Sequence, residues 1–385
     1  YTFRLFAERK FFLEAKKPCV HINDVDVPAR QARRYGYTAN LKISVLSNFE
    51  YLMIYDTSVK VEETDTNQKA LIKKYHYTEY EDKFEELQRL LGKDSVYSGQ
   101  FDEEWKDIEV RLKQWSVDKQ FLKQINEWRL LLGKEILNAE PTIDMELLGD
   151  EVQSYINKIL FLRVCEDRNI ETYKDLLAIA DSGNFDKLLE KFRKADTKYN
   201  SGLFDQELSE RVVCNASSAF WTIIRQLYFP ESPYSFSVFS SDILGHIYEI
   251  FIAEKLAVKD GELQIVKKPE NEDRDVVTTP TYIIREILRQ TITPLCKDKS
   301  AKEILKLKIA DIACGSGAFL LETYQLLNDI LIDYYIQHDT SKLVQISEIS
   351  YRLKYAEKKQ LLKNCIYGVD KDFNAVEASK FGLLL

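Results

Sequence analysis

Residues 309–320 read IADIACGSGAFL, and this stretch constrains the fold more than any other part of the sequence. A short apolar run ends at Asp311, glycines follow at 315 and 317, and a long segment with helical periodicity begins directly afterwards. Glycines at such a junction let a strand turn sharply into a helix and let the backbone approach a ligand closely. The stretch therefore predicts a strand, a ligand-binding turn and a helix.

The segments around this turn alternate between strands and helices. Helices are predicted for TPTYIIREILRQTITPL, GAFLLETYQLLNDILIDYYI and AVEASKFGLLL, and strands for KLKIADIA and CIYGVD. Such alternation is typical of a parallel sheet, so an α/β domain is predicted at this end of the chain. Two strands do not complete such a sheet, and we interpret the chain as a fragment that ends inside this domain.

The spacing at the turn indicates which nucleotide would bind. The dinucleotide fingerprint needs a third glycine and an acid about 20 residues further on, whereas Phe319 follows the turn here and Asp370 comes much later. A ligand with a ribose and no phosphate needs only a close turn and a carboxylate. S-adenosylmethionine meets this description, with Asp370 at the ribose and Asp311 near the amino acid end. Alternatively, the domain binds another nucleotide, and Asp370 and Asp372 only cap the following helix.

At the amino-terminal end, FFLEAKKP predicts a strand that carries two charged residues on one face. Glu14 and Lys16 are two positions apart, so their side chains leave the same face, while Leu13 and Ala15 are expected to enter the core. A carboxylate beside an amine suits metal-assisted phosphodiester hydrolysis, because the acid holds Mg²⁺ and the amine orients or activates water. The alternative is a solvated charged edge.

The remaining pattern up to residue 275 is mostly helical. Residues 10–16 and 42–55 are predicted strands, and PARQARRYGYTA between them predicts a helix that begins near Pro28 and ends around Gly36. Helical periodicity extends over three longer stretches: 70–92, 101–138 and 145–265. The polar segment GELQIVKKPENEDRD contains Pro269 and is interpreted as a linker.

Composition restricts the class of protein further. A chain of 385 residues with 45% hydrophobic and 30% charged residues is typical of a folded protein with two or three domains. The net charge of −8 argues against a uniformly basic nucleic-acid binder, although residues 1–42 hold nine basic against four acidic side chains. Six scattered cysteines without a C-x-x-C pair, and no apolar run of about 20 residues, predict a cytoplasmic protein without a membrane partner.

Three motifs in the last hundred residues resemble those of N6-adenine DNA methyltransferases from type I and type IIG restriction systems. ADIACGSGAFL resembles their D-P-A-C-G-S-G-x-F-L motif, IYGVDKDFNAVEASKFGL their second motif, and TTPTYIIREIL their upstream Y-T-P motif. Ile312 stands where the family prefers Pro, and Thr278 where it often has Tyr. The resemblance implies a Rossmann-like domain whose cofactor-binding residues are Thr279, Pro280, Asp311, Ala313, Cys314, Gly315, Gly317, Phe319, Asp370 and Lys371.

The catalytic motif of these methyltransferases is the next feature to compare with the sequence. The family flips the target base into a motif of Asn or Asp, two prolines and an aromatic residue, because a base inside the duplex cannot reach the methyl donor. The chain contains no Pro-Pro pair. The fragment alone is therefore expected to be inactive.

RKFFLEAKKP followed by QARRYGYTANLKISVLSNFEYLMIYD resembles the PD-(D/E)xK nuclease domain at the start of type IIG restriction-modification enzymes. The resemblance implies that Glu14 holds Mg²⁺ and that Lys16 and Gln31 are catalytic, with Gln31 and Tyr35 on one helix face. The family's Asp on the preceding strand is expected upstream of Tyr1. Three arginines nearby are interpreted either as phosphate-neutralising or as solvated: Arg30, Arg33 and Arg34.

INKILFLRVCEDRNI and SDILGHIYEIF resemble the helical region that joins the two activities in these enzymes, and Glu166, Asp167 and Arg168 are interpreted as an ion-pair cluster at a helix end. The predicted architecture is α/β with a large helical middle, in three parts: a nuclease core at 1–100, a helical connector at 101–265 and a methyltransferase part at 266–385. The oligomeric state is not predicted.

The resulting hypothesis is a type IIG-like restriction-modification enzyme that acts on double-stranded DNA with S-adenosylmethionine and Mg²⁺. Two alternatives remain. The first is a phage-defence or modification-only methyltransferase whose nuclease-like end binds DNA without cutting it. The second is a non-catalytic helical scaffold with a nucleotide-binding α/β end.

Overall fold

The structure of the chain is a computed structural model, in which the described residues are 1–5, 8–108, 117–199, 203–204, 214–238, 254–268, 279–347 and 350–384. The chain divides into two compact units, each built from three stretches of sequence. The first unit comprises 1–128, 162–188 and 217–239, and the second comprises 129–161, 189–216 and 240–385. The division of the sequence into three consecutive parts stays a prediction.

A five-stranded sheet forms the centre of the first unit. Its strands follow one another in chain order: β1 Thr2–Leu5, β2 Glu8–Ala15, β3 Ile43–Ser47, β4 Tyr51–Asp56 and β5 Leu71–His76. Strands β2 and β3 are parallel, and every other neighbouring pair is antiparallel. The parallel pair requires a crossover, which helix α1 (Val27–Thr38) supplies.

Helix α1 continues two residues past Gly36, where the sequence predicts its end. A side chain at Gly36 would collide with Thr57 and Ser44, so the glycine allows the helix to approach the sheet closely. Pro28 lies in the first turn, where its missing N–H costs no hydrogen bond.

Both faces of the sheet are covered by apolar side chains. On the α1 face the core contains Ile22, Ala29, Ala32, Leu46, Met53 and Tyr55. The opposite core includes Phe11, Ile43, Val45, Ile54 and Tyr75 together with residues of three short helices: α2 Phe84–Leu91, α3 Lys93–Ser98 and α4 Gln100–Glu104. Leu13 packs against this core, but Ala15 is exposed, contrary to the prediction.

The prediction of a helix over 70–92 is wrong for its first part, because Leu71–His76 is strand β5. This segment is a strand because it pairs with β4 and buries Tyr75 against the sheet core. In the middle of the chain the described residues form these helices: α5 Val117–Ala139, α6 Met145–Asp167, α7 Asp175–Ser182, α8 Phe185–Tyr199 and α9 Ser217–Arg225. The prediction of helical structure up to residue 265 is wrong at its end, because Glu254–Lys259 and Glu262–Lys267 are strands. The stretch SDILGHIYEIF lies outside the described residues.

The predicted linker begins inside regular structure. Strands β6 (Glu254–Lys259) and β7 (Glu262–Lys267) form an antiparallel hairpin that turns at Asp260 and Gly261, both with positive φ. Alternating apolar residues in these strands, such as buried Leu256 and Leu263, indicate the strand period that the linker interpretation overlooked.

The carboxyl-terminal part of the second unit follows the predicted alternation. Its elements in chain order are α10 Thr281–Cys296, α11 Ala301–Ile304, β8 Ile309–Asp311, α12 Ala318–His338, β9 Leu343–Ser347, β10 Ser350–Leu353, α13 Tyr355–Cys365, β11 Ile366–Gly368 and α14 Phe373–Leu384. Strands β8 and β11 are parallel, with Gly368 opposite Asp311, which confirms the expected pairing. The hairpin of β9 and β10 was not predicted.

Four of the six cysteines are buried, namely Cys165, Cys296, Cys314 and Cys365, and Cys19 and Cys214 are exposed. Within the described ranges, no helix has the length and apolar character that a membrane crossing requires.

Candidate functional sites

A chain of hydrogen bonds joins four predicted residues at one end of the five-stranded sheet. The Lys16 Nζ donates to Glu14 Oε1 at 2.6 Å and to Gln31 Oε1 at 2.8 Å. The Gln31 Nε2 then donates to the Tyr35 hydroxyl at 2.6 Å. The sheet and α1 thus bring together the residues that the sequence placed on one strand face and one helix face.

The environment of this cluster is half-buried. The Glu14 and Lys16 side chains are 19% and 22% exposed, so their attraction is less screened than that of a surface pair, yet a ligand can reach them. Burial is the main cause that raises the pKa of Tyr35; the negative charge of Glu14 adds to it, and the hydrogen bond from Gln31 opposes it. Tyr35 therefore stays a neutral phenol at neutral pH.

The three arginines of α1 serve the fold. Arg33 is fully buried and its Nη1 donates to Asp65 Oδ2 at 2.8 Å. Arg34 lies 4.8 Å from the centre of the Phe229 ring, and burial is the largest cause that lowers its pKa. Arg30 donates to the Asp65 carbonyl at 2.8 Å. Both predicted roles are therefore wrong for Arg33, which faces neither DNA nor solvent.

Metal ligands are sparse at this site. Within the part of the chain that the structure describes, no group of three or more His, Cys, Asp or Glu side chains could hold a metal ion. Glu14 supplies one carboxylate and Gln31 a neighbouring amide oxygen. Mg²⁺ often binds through one or two carboxylates and completes its shell with substrate phosphate and water, so the donors present fit part of a magnesium site.

The second candidate site is the turn between β8 and α12. Gly315 and Gly317 have φ values of +52° and +87°, which L residues rarely adopt. A Cβ atom on Gly317 would lie 2.8 Å from the Ser379 Oγ and 3.1 Å from the Ser379 Cα, on α14. A Cβ atom on Gly315 would meet no atom within 4 Å. The second glycine therefore packs the turn against a helix, and the first faces open space.

Asp370 is attached to this turn. Its Oδ2 accepts a hydrogen bond from the Gly315 amide at 2.9 Å, and its Oδ1 accepts one from the Asp372 amide at 2.9 Å. The Cys314 amide donates to the Val369 carbonyl at 3.0 Å, which extends the contact between the ends of the two strands. Asp370 thus lies beside the glycine turn, and its second hydrogen bond goes to Asp372, the residue that immediately precedes α14.

The other predicted cofactor residues occupy varied positions. Asp311 is half-buried, and its Oδ1 accepts from the amide of exposed Ala313 at 3.1 Å. Cys314 is buried with its Sγ 3.7 Å from the Ser379 Oγ, and burial is the largest cause that raises its pKa. Phe319 packs against the core of the second unit. The last two side chains therefore contribute packing rather than an exposed contact.

Three further predicted residues are exposed. Lys371 follows Asp370, and Thr279 and Pro280 immediately precede α10. Thr278, the departure from the Y-T-P motif, lies outside the described residues.

Sequence reasoning missed two residues of this site. The Ser379 Oγ donates to the Gly315 carbonyl at 2.8 Å, and the Lys268 Nζ pairs with Asp372 Oδ2 at 2.6 Å. A small polar residue in the otherwise apolar α14 was a usable signal for Ser379. No local sequence signal pointed to Lys268, because its partner Asp372 lies 104 residues further along the chain.

Glu166, Asp167 and Arg168 form the expected cluster only in part. The cation beside the two acids is Arg163, whose Nη1 lies 2.6 Å from Asp167 Oδ1 and 3.8 Å from Glu166 Oε2. Glu166 also accepts from the Leu176 amide at 2.8 Å at the start of α7. The cluster is structural.

Comparison with known proteins places the chain beside enzymes of the restriction-modification class. It is 58% identical over 386 aligned residues to the Type II restriction enzyme and methyltransferase RM.Eco57I of Escherichia coli, and the alignment covers 100% of this chain. This similarity confirms the resemblance to type IIG restriction-modification enzymes that the sequence motifs indicate. The chain spans 39% of the length of that relative. No family model matches the chain, and no solved structure matches it.

Proposed function

We propose that the chain forms part of a bifunctional type IIG-like enzyme that cleaves double-stranded DNA with Mg²⁺ and methylates adenine at N6 with S-adenosylmethionine. The name of the relative combines a restriction enzyme with a methyltransferase, which supports the pairing of cleavage and methylation in this proposal. The observation that carries the proposal is the Lys16 amine held between Glu14 and Gln31 at a half-buried strand end. The glycine turn of the second unit supports the methylation half.

In the nuclease half, the roles follow from charge and position. Lys16 keeps its amine beside the carboxylate, where it can orient water or balance charge on a phosphate oxygen. Glu14 and the Gln31 amide oxygen would hold Mg²⁺, which when bound supplies Lewis acidity toward the phosphodiester and a more acidic water.

Register indicates where a second carboxylate could come from. The Leu13 amide donates a hydrogen bond to the Tyr1 carbonyl at 2.9 Å, so Tyr1 lies opposite Leu13. Strands β1 and β2 are antiparallel, so a residue before Tyr1 on the same strand would lie beside Glu14. A carboxylate there, as the family resemblance implies, would complete the donor set.

In the methyltransferase half, the residues present bind and orient the cofactor. Each oxygen of Asp370 accepts one backbone amide, and a carboxylate offers about four lone-pair sites, so both oxygens can also accept a ribose hydroxyl. No atom lies within 4 Å of a Cβ atom placed on Gly315, and we infer that the adenosine approaches the turn from this open side. The cofactor, when bound, supplies the methyl group.

The test of the nuclease half is Lys16→Ala in the full-length protein, with Lys69→Ala as the control, because Lys69 is exposed and precedes β5 at the opposite end of the sheet. We expect DNA cleavage to fall by about a hundredfold or more while methylation stays unchanged. Unchanged cleavage in Lys16→Ala would exclude Lys16 from the mechanism.

A second candidate is a modification-only methyltransferase. The observation that favours it is that, among the described residues, no group of three or more His, Cys, Asp or Glu side chains could hold a metal ion. Full-length wild-type protein that methylates DNA but does not cut it with Mg²⁺ would establish this alternative. Calorimetric titration with S-adenosylmethionine and with NAD separates the two methyltransferase hypotheses from the scaffold hypothesis. Binding of NAD alone would exclude the methyltransferase proposal.

A further inference from the structure

The hairpin between β3 and β4 holds an aromatic residue in an unfavourable conformation. Phe49 has φ +75°, and its side chain is 82% exposed. A bulky residue with positive φ is an outlier, since its Cβ crowds the backbone there. The exposed ring contributes little hydrophobic stabilisation to the fold, and the backbone of this residue is strained. Such strain persists where the surroundings enforce it, and it points to a function.

The surroundings of Phe49 do enforce its position. Its amide donates to the Ser47 Oγ at 3.1 Å, and its carbonyl accepts from the Tyr80 hydroxyl at 3.1 Å. Asn48 is fully buried, donates to the Val20 carbonyl at 2.8 Å and accepts from the Tyr51 amide at 2.8 Å. The tip is thus fixed to two other segments of the first unit, and the ring is presented to solvent on a rigid support.

Phe49 lies at the same end of the sheet as the nuclease candidate. The Ser47 carbonyl accepts from the Lys16 amide at 2.8 Å, and Phe49 is two residues further along the chain. Strands β2 and β3 are parallel, so both arrive at this end together. Phe49 therefore lies at the end of the sheet that carries the Glu14 and Lys16 pair.

The rim around this end is aromatic and basic. Tyr51 lies opposite His76 across β4 and β5, with ring centres 5.0 Å apart. The Lys74 Nζ lies 4.8 Å from the centre of the Tyr51 ring, and Tyr77 is 58% exposed against His76. Lys17 is exposed next to Lys16. The rim also carries two acidic residues: Glu79, whose carboxylate accepts from the His76 amide at 2.8 Å, and Glu50, whose carbonyl accepts from the Tyr77 amide at 2.8 Å.

We propose that this rim is a contact surface for duplex DNA and that Phe49 acts as a wedge against the bases beside the phosphodiester held at Lys16. Aromatic rings stack on bases and apolar wedges unstack base steps, while lysines neutralise phosphates. The proposal rests on the proposed nuclease function. It deepens that function because it assigns a positioning residue outside the Glu14, Lys16 and Gln31 cluster.

The test uses the full-length protein with Phe49→Gly and Phe49→Trp. Glycine accepts φ +75°, so Phe49→Gly removes the ring and the strain together. We expect this variant to denature no earlier than the wild type, to bind duplex DNA about tenfold more weakly, and to lose the fluorescence increase of 2-aminopurine placed beside the cleavage position. Phe49→Trp is expected to keep both signals, because indole stacks on bases as well.

The matched control is Tyr97→Ala. Tyr97 is 59% exposed on α3, and the Lys93 Nζ lies 5.6 Å from the centre of its ring, so it is another exposed aromatic beside a lysine in the first unit. It should leave DNA affinity and fluorescence unchanged.

Wild-type affinity and fluorescence in Phe49→Gly would overturn the proposal. Earlier denaturation of Phe49→Gly with unchanged DNA affinity would also overturn it, because the ring would then be covered by protein. Binding is measured without divalent metal, so the result does not depend on cleavage. If Lys16→Ala cleaves DNA normally and Phe49→Gly binds DNA more weakly, the nuclease proposal fails. The proposed DNA contact surface then stands.

Discussion

Glu14 and Asp370 both stand at the ends of parallel strands, but different parts of the chain hold them. Glu14 is paired with the side chain of Lys16, which also reaches Gln31. Asp370 accepts two backbone amides, from Gly315 and Asp372. Side chains can be exchanged on an intact sheet, whereas a carboxylate that holds a backbone turn cannot be changed without changing the turn. The first site should therefore lose activity without losing stability, and the second should lose both.

The sharpest test of this contrast is Glu14→Gln. Glutamine retains one oxygen for Lys16, and the position is 19% exposed, so we expect the melting temperature to stay within about 2 °C of the wild type. Cleavage should fall about a thousandfold, because the charge that would hold a metal is gone. Supercoiled DNA cleavage and thermal denaturation of the full-length protein measure the two effects. The exposed Glu63→Gln is the control, and a large stability loss in Glu14→Gln would break the contrast.

The second site is tested by Gly317→Val. The residue has φ +87°, and a Cβ atom would press on Ser379, so we expect a loss of about 2–4 kcal/mol in the free energy of unfolding. Affinity for S-adenosylmethionine should fall about a hundredfold. Titration calorimetry and thermal denaturation are the measurements. Gly315→Val is the matched control, because it places the same side chain at a positive φ without the steric contact and should cost about 1–2 kcal/mol. Equal stability losses in the two variants would contradict the packing role of Gly317.

Asp370→Asn is expected to have an intermediate effect. Asparagine retains one acceptor oxygen, so one of the two backbone amides at 2.9 Å loses its partner. We expect about 1–2 kcal/mol of destabilisation and about a thirtyfold weaker affinity for S-adenosylmethionine. Asp372→Asn is the control, since it weakens the pair with Lys268 and leaves both bonds of Asp370. Unchanged stability in Asp370→Asn would show that the conformation of the turn does not depend on the hydrogen bonds of Asp370.

The contrast between the sites also explains what the sequence could predict. Glu14 and Lys16 lie on one strand, and Gln31 and Tyr35 on one helix, so simple periodicities bring each pair to one face. The glycine turn was predictable because positive φ restricts the residue type. Local patterns therefore indicated where both candidate sites lie.

Long-range partners were not predictable. Arg33 is buried because Asp65, 32 residues away, accepts from it, and no local pattern distinguishes it from a solvated helix arginine. The strand Leu71–His76 depends on β4 in the same way, since its own sequence, LIKKYH, has only weak alternation. The errors therefore fall where tertiary pairing, and not chain-local propensity, decides the structure.

The smallest expected effect is that of Tyr35→Phe. Its hydroxyl accepts from Gln31, which in turn accepts from Lys16, so its removal should loosen the lysine and slow cleavage about threefold. Burial raises the pKa of Tyr35, so the folded chain keeps the phenolic proton at a pH where the unfolded chain has released it. The stability contributed by this phenol is complete below about pH 10 and is lost as the pH rises through the folded-state pKa. Denaturation midpoints between pH 9 and about 12 should therefore fall less in Tyr35→Phe than in the wild type, and parallel curves would exclude this linkage.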